Sequence, residues 1–215
     1  RCTSSAASDV YKRQGLKDLY DFTKFVRNQN VIVVTINYRL GPLGWFTHPA
    51  IQGSHTGLDK ASNFGTLDIL SALEWVNENI NSFGGDSENI TIFGESAGGH
   101  NVLSLLVSKR AKGLFHKAIS MSGYTESIST EDAFRQENKS PTSNYSSWKV
   151  VNKVINNQAD KNVDHKYSNE EIRALLYGLS GKEFYQYYAD RKSYEELPLL
   201  TLSLIHISEP TRPNC

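Results

Sequence analysis

Residues 90–107 read ITIFGESAGGHNVLSLLV, and this stretch decides the fold class. The opening β-branched and aromatic residues are typical of a short buried strand. Residues 97–107 are apolar on nearly every side, which predicts a buried helix. Between the two, residues 94–98 (GESAG) fit the pattern Gly-x-Ser-x-Gly of a nucleophile elbow. The sequence therefore predicts a strand, a tight turn that carries a serine, and a helix in direct succession.

Such a turn points to one chemistry. We expect Ser96 to be a catalytic nucleophile, because a strained turn pushes its hydroxyl out at the carboxyl end of the strand. Gly94 and Gly98 are expected to be structural, at positions where a Cβ would meet neighbouring backbone. The N–H of Ala97 opens the helix and is expected to form half of an oxyanion hole, which stabilises developing negative charge.

The sequence on both sides of residues 90–107 predicts further strands and helices in alternation. Residues 31–36 (VIVVTI) predict a strand buried on both faces, and residues 118–121 predict another strand. Residues 37–56 are rich in glycine and proline and predict a loop. A helix face follows, with apolar residues at steps of three or four: Leu67, Leu70, Leu73, Val76, Ile80 and Phe83. Alternating strands and helices predict an α/β class with parallel strands and flanking helices.

The two ends of the chain differ from its middle. Residues 4–14 (SSAASDVYKRQ) and 202–212 (LSLIHISEPTR) resemble translated oligonucleotide adapters, so 1–14 and 202–215 are expected to be non-native tails. Residues 15–201 are then a partial domain with a core at 31–123. Residues 145–190 predict short helices, with capping-box spacings at Ser168 and Ser180, and are interpreted as a helical cap-like segment.

Composition excludes several classes of function. Lysine plus arginine and aspartate plus glutamate both number 23, which gives a net charge of +0 and no basic excess for nucleic acid. No apolar run approaches the ~20 residues of a membrane-spanning helix. Both cysteines lie in the expected tails, and no histidine pair has the spacing of a metal site, so we expect no metal. The sequence leaves the cellular compartment and the oligomeric state open, and export from a bacterial cell is one of the alternatives for the compartment.

Several longer motifs carry a resemblance to a known family. Residues 63–68 (NFGTLD), 72–80 (ALEWVNENI), 83–86 (FGGD) and 92–99 (IFGESAGG) stand in the order and spacing of the type-B carboxylesterases. The chain resembles an internal fragment of that family, which includes the cholinesterases. The resemblance implies a partial α/β-hydrolase fold with the start of a helical cap region.

The same resemblance implies an activity. Members hydrolyse small carboxylic esters through an acyl-enzyme on the serine, without a cofactor, which would make this chain a truncated carboxylesterase. In this family the triad acid, the histidine and the glycine-rich oxyanion loop would all fall outside this sequence, so we expect the fragment alone to be inactive. Two alternatives stay open: a non-catalytic, cholinesterase-like adhesion or binding relative, and a hydrolase of amides, thioesters or lactones.

Three histidines and one glutamate near these motifs could also take part in the site. His48 and His55 lie in the glycine- and proline-rich segment and are candidates for the mouth of the site. His100 follows Ser96 by about one helical turn and is not expected to be the catalytic base. Glu95 is expected to be a buried structural carboxylate behind the turn rather than a general base.

Overall fold

The computed structural model describes residues 2–5, 21–125, 127, 129, 133–134, 147–158 and 166–188. Most of the tails predicted to be non-native, residues 6–14 and 202–215, therefore lie outside the described residues. The chain divides into two compact units. The first unit comprises Arg1–Arg39 and Gly65–Glu126, and the second comprises Leu40–Phe64 and Ser127–Cys215.

The described residues of the first unit form a parallel sheet of four strands. Its strands in chain order are β1 (Cys2–Ser5), β2 (Ile32–Thr35), β3 (Ile90–Glu95) and β4 (Lys117–Met121). Their spatial order is β2-β1-β3-β4, so β3 lies inside the sheet and β2 and β4 lie at its edges. The predicted parallel α/β arrangement is confirmed.

Strand β1 falls on residues that the sequence assigns to a non-native tail. Its backbone pairs in parallel with β2 on one side and β3 on the other, with Cys2 opposite both Ile32 and Ile90. Strand pairing runs through backbone groups that every residue except proline carries, so this position does not depend on a particular sequence. The origin of residues 1–14 stays a prediction.

In the described part of this unit, three α-helices lie wholly or mainly within its bounds: α1 (Thr23–Gln29), α4 (Phe64–Asn79) and α5 (Ala97–Val107). Helix α4 continues into a 3₁₀ turn, Ile80–Phe83, and ends where Gly84 takes a left-handed conformation with φ 79°. Helix α5 packs on β3 and β4. The buried apolar residues of the unit come mainly from these elements: Ile69, Leu70, Leu73, Val76, Ile80, Ile90, Ile92, Val102 and Leu105.

Strand β2 corrects one expectation. Its first three residues are only partly buried and Thr35 is exposed, whereas the sequence predicts burial on both faces. The physical reason is its place at the edge of the described sheet, where strands are covered less completely than inside it.

The second unit is helical. Its elements are α2 (Gly41–Gly44), α3 (Pro49–Gln52), α6 (Trp148–Gln158), α7 (Asn169–Gly178) and α8 (Gly181–Tyr188), with a 3₁₀ turn at Gly57–Lys60. The predicted loop at 37–56 thus contains two short helices. Each has a proline in its first turn, where the missing N–H costs nothing. The short helices predicted at 145–190 are confirmed where the chain is described.

Helix capping and apolar packing stabilise the second unit. Ser168 and Glu171 form both bonds of a capping box, and Ser180 exchanges the same pair of contacts with Glu183. The helices enclose one apolar core, whose buried members are Phe46, Ala50, Val150, Val151, Val154, Ile172 and Leu176. The role of residues 145–190 as a cap-like segment stays a prediction.

Candidate active site

Ser96 lies in the turn between β3 and α5, where the sequence predicts it. Its backbone has φ 55° and ψ −118°, a combination that side chains of L-residues rarely adopt. Non-glycine residues at such angles cost of order 1–3 kcal/mol and persist only where the surrounding structure holds them. The side chain of Ser96 is exposed, so its hydroxyl is presented at the carboxyl end of an inner strand.

The backbone groups of Ser96 are held from two sides. Its N–H donates to the carbonyl of Met121 at the end of β4 over 2.9 Å, and its carbonyl accepts from the N–H of His100 over 3.0 Å. The first bond ties the turn to the neighbouring strand, and the second closes the first turn of α5. The unusual dihedral angles are therefore fixed by the sheet and the helix together.

Ala97 is the first residue of α5, so the helix itself offers no acceptor for its N–H. This N–H belongs to the positive end of the helix dipole, which favours negative charge. Gly94 and Gly98 are both buried beside the turn. These three positions match the arrangement that the sequence predicts, and the roles assigned to them stay predictions.

A second pair of glycines makes the close contact that holds the turn in place. A Cβ on Gly99 would lie 2.7 Å from the carbonyl oxygen of Met121 and 2.9 Å from the backbone of Gly123. A Cβ on Gly123 would lie 2.7 Å from the carbonyl carbon of Gly99. The backbones of α5 and of the segment after β4 therefore touch. Sequence reasoning missed this contact, although the paired glycines after the serine were a signal for it.

Replacing Gly99 with alanine is expected to destabilise the chain by about 2 kcal/mol, because the new methyl group meets backbone atoms that cannot move aside. Urea unfolding measures the difference. Gly178→Ala is the matched control, because a Cβ there meets nothing within 4 Å. The control should cost nothing, since alanine is also the better helix former. Equal losses in the two variants would contradict the contact.

Glu95 corrects another expectation. Burial alternates along β3, and Glu95 is exposed on the face opposite to Ile92 and Gly94. Successive side chains of a strand point to opposite faces, so a residue next to a buried glycine faces the other way. The prediction of a buried carboxylate behind the turn is wrong.

The structure also bears on the two histidines, His48 and His55, that the sequence offers as candidates for the mouth of the site. His48 is fully buried, accepts a hydrogen bond at Nδ1 from the N–H of Ala50, and packs its ring against Trp148. A fully buried ring cannot line the mouth of a site, so that candidate role is wrong. Burial also lowers the pKa of His48 to about 4. His55 is half-buried, with Nδ1 on the carbonyl of Asp59, and its candidate role stays a prediction.

Arg39 and Asp68 hold the segment after β2 to helix α4. The guanidinium donates through both Nε and Nη2 to the two carboxylate oxygens, at 2.8 and 2.6 Å. Hydrogen bonds from Arg39 keep the pKa of Asp68 low in spite of its partial burial, which acts in the opposite direction. This ion pair joins two elements of the first unit, and its two hydrogen bonds make it a structural contact.

Among the residues that the structure describes, no group of three or more acidic, histidine or cysteine side chains could hold a metal ion. Within the same part of the chain, none of the helices has the length and apolar character needed to cross a membrane.

Comparison with known proteins places this geometry in a family. The sequence model of the carboxylesterase family matches residues 9–178, which is most of the chain. The chain belongs to the carboxylesterase family. The match begins inside the segment 1–14 that is predicted to be non-native, and that assignment stays a prediction.

Individual relatives agree with the family assignment. The chain is 46% identical over 123 residues to the para-nitrobenzyl esterase of Bacillus subtilis, covering 57% of this chain and 24% of that protein. It is 50% identical over 110 residues to the medium-chain fatty acyl-CoA hydrolase precursor of Anas platyrhynchos, covering 51% of this chain and 18% of that protein. The chain therefore spans about a quarter or less of these curated relatives.

A solved structure supports the fold. The chain superposes on a PNB esterase with a TM-score of 0.72 at 29% sequence identity, covering 94% of this chain and 38% of the other. The described strands and helices are thus part of an α/β-hydrolase fold, as the sequence resemblance implies.

Proposed function

We propose that this chain carries the nucleophile of a serine esterase that hydrolyses small carboxylic esters. The observation that carries the proposal is the exposed hydroxyl of Ser96 at a strained turn between an inner strand and a helix N-terminus. A nucleophile elbow requires this arrangement. Membership of the carboxylesterase family supports the reaction type.

The proposed reaction has two steps. The oxygen of Ser96 attacks the ester carbonyl, the alcohol leaves, and the acyl group stays on the serine as an ester. Water then releases the acid and restores the serine. The N–H of Ala97 stabilises the negative oxygen of each tetrahedral intermediate, a contribution of about 3–4 kcal/mol for one such donor. The proton acceptor and its carboxylate partner are proposed to be supplied by the rest of the full-length protein, meaning the gene product that contains this chain.

A thioester substrate is a second candidate. One relative is named as a hydrolase of fatty acyl-CoA, whose acyl bond is a thioester. The same serine chemistry serves both bonds, because each passes through an acyl-enzyme on Ser96. The non-catalytic alternative has less support. A non-catalytic relative does not need the nucleophilic serine, yet Ser96 is present and exposed here.

Trapping the acyl-enzyme tests the proposed function. The full-length protein is mixed with a p-nitrophenyl ester, quenched in acid within the first turnover, digested, and analysed by mass spectrometry. We expect the acyl mass on the peptide that contains Ser96. Turnover without any acyl group on that peptide would show that hydrolysis proceeds by another route. A parallel run with an acyl-CoA compares the rates for the two kinds of bond.

The 215-residue chain by itself is expected to show no turnover of p-nitrophenyl esters above the uncatalysed background. Removing the base from such a site leaves the serine hydroxyl a weak nucleophile at neutral pH. The measurement compares the chain with its Ser96→Ala variant at equal concentration. Hydrolysis by the chain that disappears in the variant would mean that a proton acceptor is present within these residues.

A further inference from the structure

The end of β4 and the segment that follows it are bound to Ser96 and the first turn of α5 by side chains as well as by backbone. The hydroxyl of Ser120 donates to the carbonyl of Gly99 over 3.0 Å. The Nδ1 atom of His100 lies within hydrogen-bond distance of the carbonyl of Tyr124. Together with the bond from the Ser96 N–H to the Met121 carbonyl, these contacts join the two segments at three successive places.

His100 contributes the outermost of these contacts. Its side chain is only 3% exposed. A carbonyl oxygen can only accept, so Nδ1 must carry the hydrogen and donate to Tyr124. The imidazole also stacks on the ring of Tyr124, with centroids 4.4 Å apart and planes inclined by 22°. One hydrogen bond and one stacked ring thus define the orientation of this side chain.

The other ring nitrogen of His100 argues against a direct chemical role. Nε2 is buried and has no hydrogen-bond partner among the described residues, Ser96 included. A general base must lie within hydrogen-bond reach of the proton that it removes. His100 is therefore not placed as the base of Ser96, and its contacts serve the segment after β4 instead.

Two strained residues lie inside this fastened region. Ser96 has φ 55°, and Ser122, between Met121 and Tyr124, has φ 51°. Each is a non-glycine residue in a sparsely populated region, which persists only where neighbouring contacts determine it. Relaxation at Ser122 would move the Met121 carbonyl, and with it the acceptor that holds the N–H of Ser96. The hydrogen bond from His100 to Tyr124 fixes the end of residues 121–124, the segment in which that relaxation would occur.

We propose that His100 is a positioning residue for the nucleophile. It holds the Tyr124 carbonyl, which keeps Ser122 and Met121 in place and so preserves the dihedral angles of Ser96. The inference rests on the proposed esterase function of Ser96. An error of about 1 Å in the place of a reacting group costs on the order of 100-fold in rate. Loss of the His100 bond should therefore lower kcat and leave KM nearly unchanged, because the binding surface for substrate is not altered.

The test uses the full-length protein and a p-nitrophenyl ester. His100→Leu removes the donor and is expected to lower kcat about 10- to 100-fold. His100→Asn places an amide N–H near the position of Nδ1 and is expected to restore most of the rate. Asn101→Leu is the matched control, because this buried neighbour donates to the hydroxyl of Tyr38 rather than to the segment after β4. The control should lose stability without the same loss of kcat.

The outcomes separate the inference from the function that it rests on. If Ser96→Ala hydrolyses as fast as the wild type, the proposed function fails. If Ser96 is required but His100→Leu keeps the wild-type kcat, or loses no more than Asn101→Leu, only the positioning role is wrong. Should His100→Leu fail to fold, His100→Gln takes its place, because its amide lies one bond farther out than that of asparagine. Equal rates for the asparagine and glutamine variants would then overturn the inference.

Discussion

Replacing Ser96 with alanine in the full-length protein is expected to lower kcat for p-nitrophenyl esters by about 10⁵- to 10⁶-fold, the loss typical of removing a catalytic serine. The reason is that no other hydroxyl of the elbow can form the acyl-enzyme. Steady-state kinetics at several ester concentrations measure kcat and KM separately. KM should change little, because alanine leaves the shape of the site almost intact.

A control serine makes this result specific. Ser54 is exposed and lies in the second unit, where its hydroxyl donates to the carbonyl of Ile51. Ser54→Ala should hydrolyse esters at the wild-type rate. A loss of less than about tenfold in Ser96→Ala would mean that the reaction does not depend on a covalent intermediate at this residue.

Acid should destabilise the second unit through His48. Burial lowers the pKa of His48 from 6.5 to about 4, and protonation at Nδ1 would also break the bond from the Ala50 N–H that caps α3. Above pH 6.5 both the folded and the unfolded states are neutral at this residue. Between pH 6.5 and 4 the unfolded chain binds a proton that the folded unit does not. Stability is therefore lost as the pH falls through this window, by about 3 kcal/mol.

The effect can be isolated with one substitution. His48→Asn keeps a side-chain acceptor for the cap and removes the titrating group. Between pH 6.5 and 4 its free energy of unfolding should therefore fall by about 3 kcal/mol less than that of the wild type. His55→Asn, which removes a half-buried histidine of the same unit and leaves His48 in place, is the matched control. Urea unfolding in a Trp75→Phe background reports on the second unit, since Trp45 and Trp148 are then the remaining tryptophans. An equal loss of stability with falling pH in the wild type and in His48→Asn would show that His48 is not the group responsible.

The elbow was predictable because its determinants are local. A strand, a turn and a helix follow one another within residues 90–107, and small residues at the turn permit the close backbone approach that the turn requires. The same holds for the caps at Ser168 and Ser180, where a serine and a glutamate three residues apart bind each other's backbone. Such features depend on neighbours in sequence, which the chain itself displays.

Features that depend on distant partners were harder to predict. The place of β1 between β2 and β3 follows from backbone pairing, for which residues 2–5 carry no hydrophobic pattern. The partial exposure of β2 follows from its position at the edge of the sheet, and a continuous apolar run does not encode that position.

Histidine burial is a further example. His48 stands in a glycine- and proline-rich segment, which favours exposure, yet two short helices fold this segment onto the core of the second unit. His100 meets Tyr124 only because α5 packs on β4, so a contact across 24 residues decides its role. In both cases the local sequence specifies the residue type, and the packing specifies what it contacts.

The most direct test is to map the site of a fluorophosphonate probe on the full-length protein, because such probes react with activated serines. After digestion, mass spectrometry should find one phosphonate on the peptide that contains Ser96, and prior incubation with an ester substrate should slow the labelling. A phosphonate on a different serine, with Ser96 unmodified in a protein that still hydrolyses esters, would contradict the account.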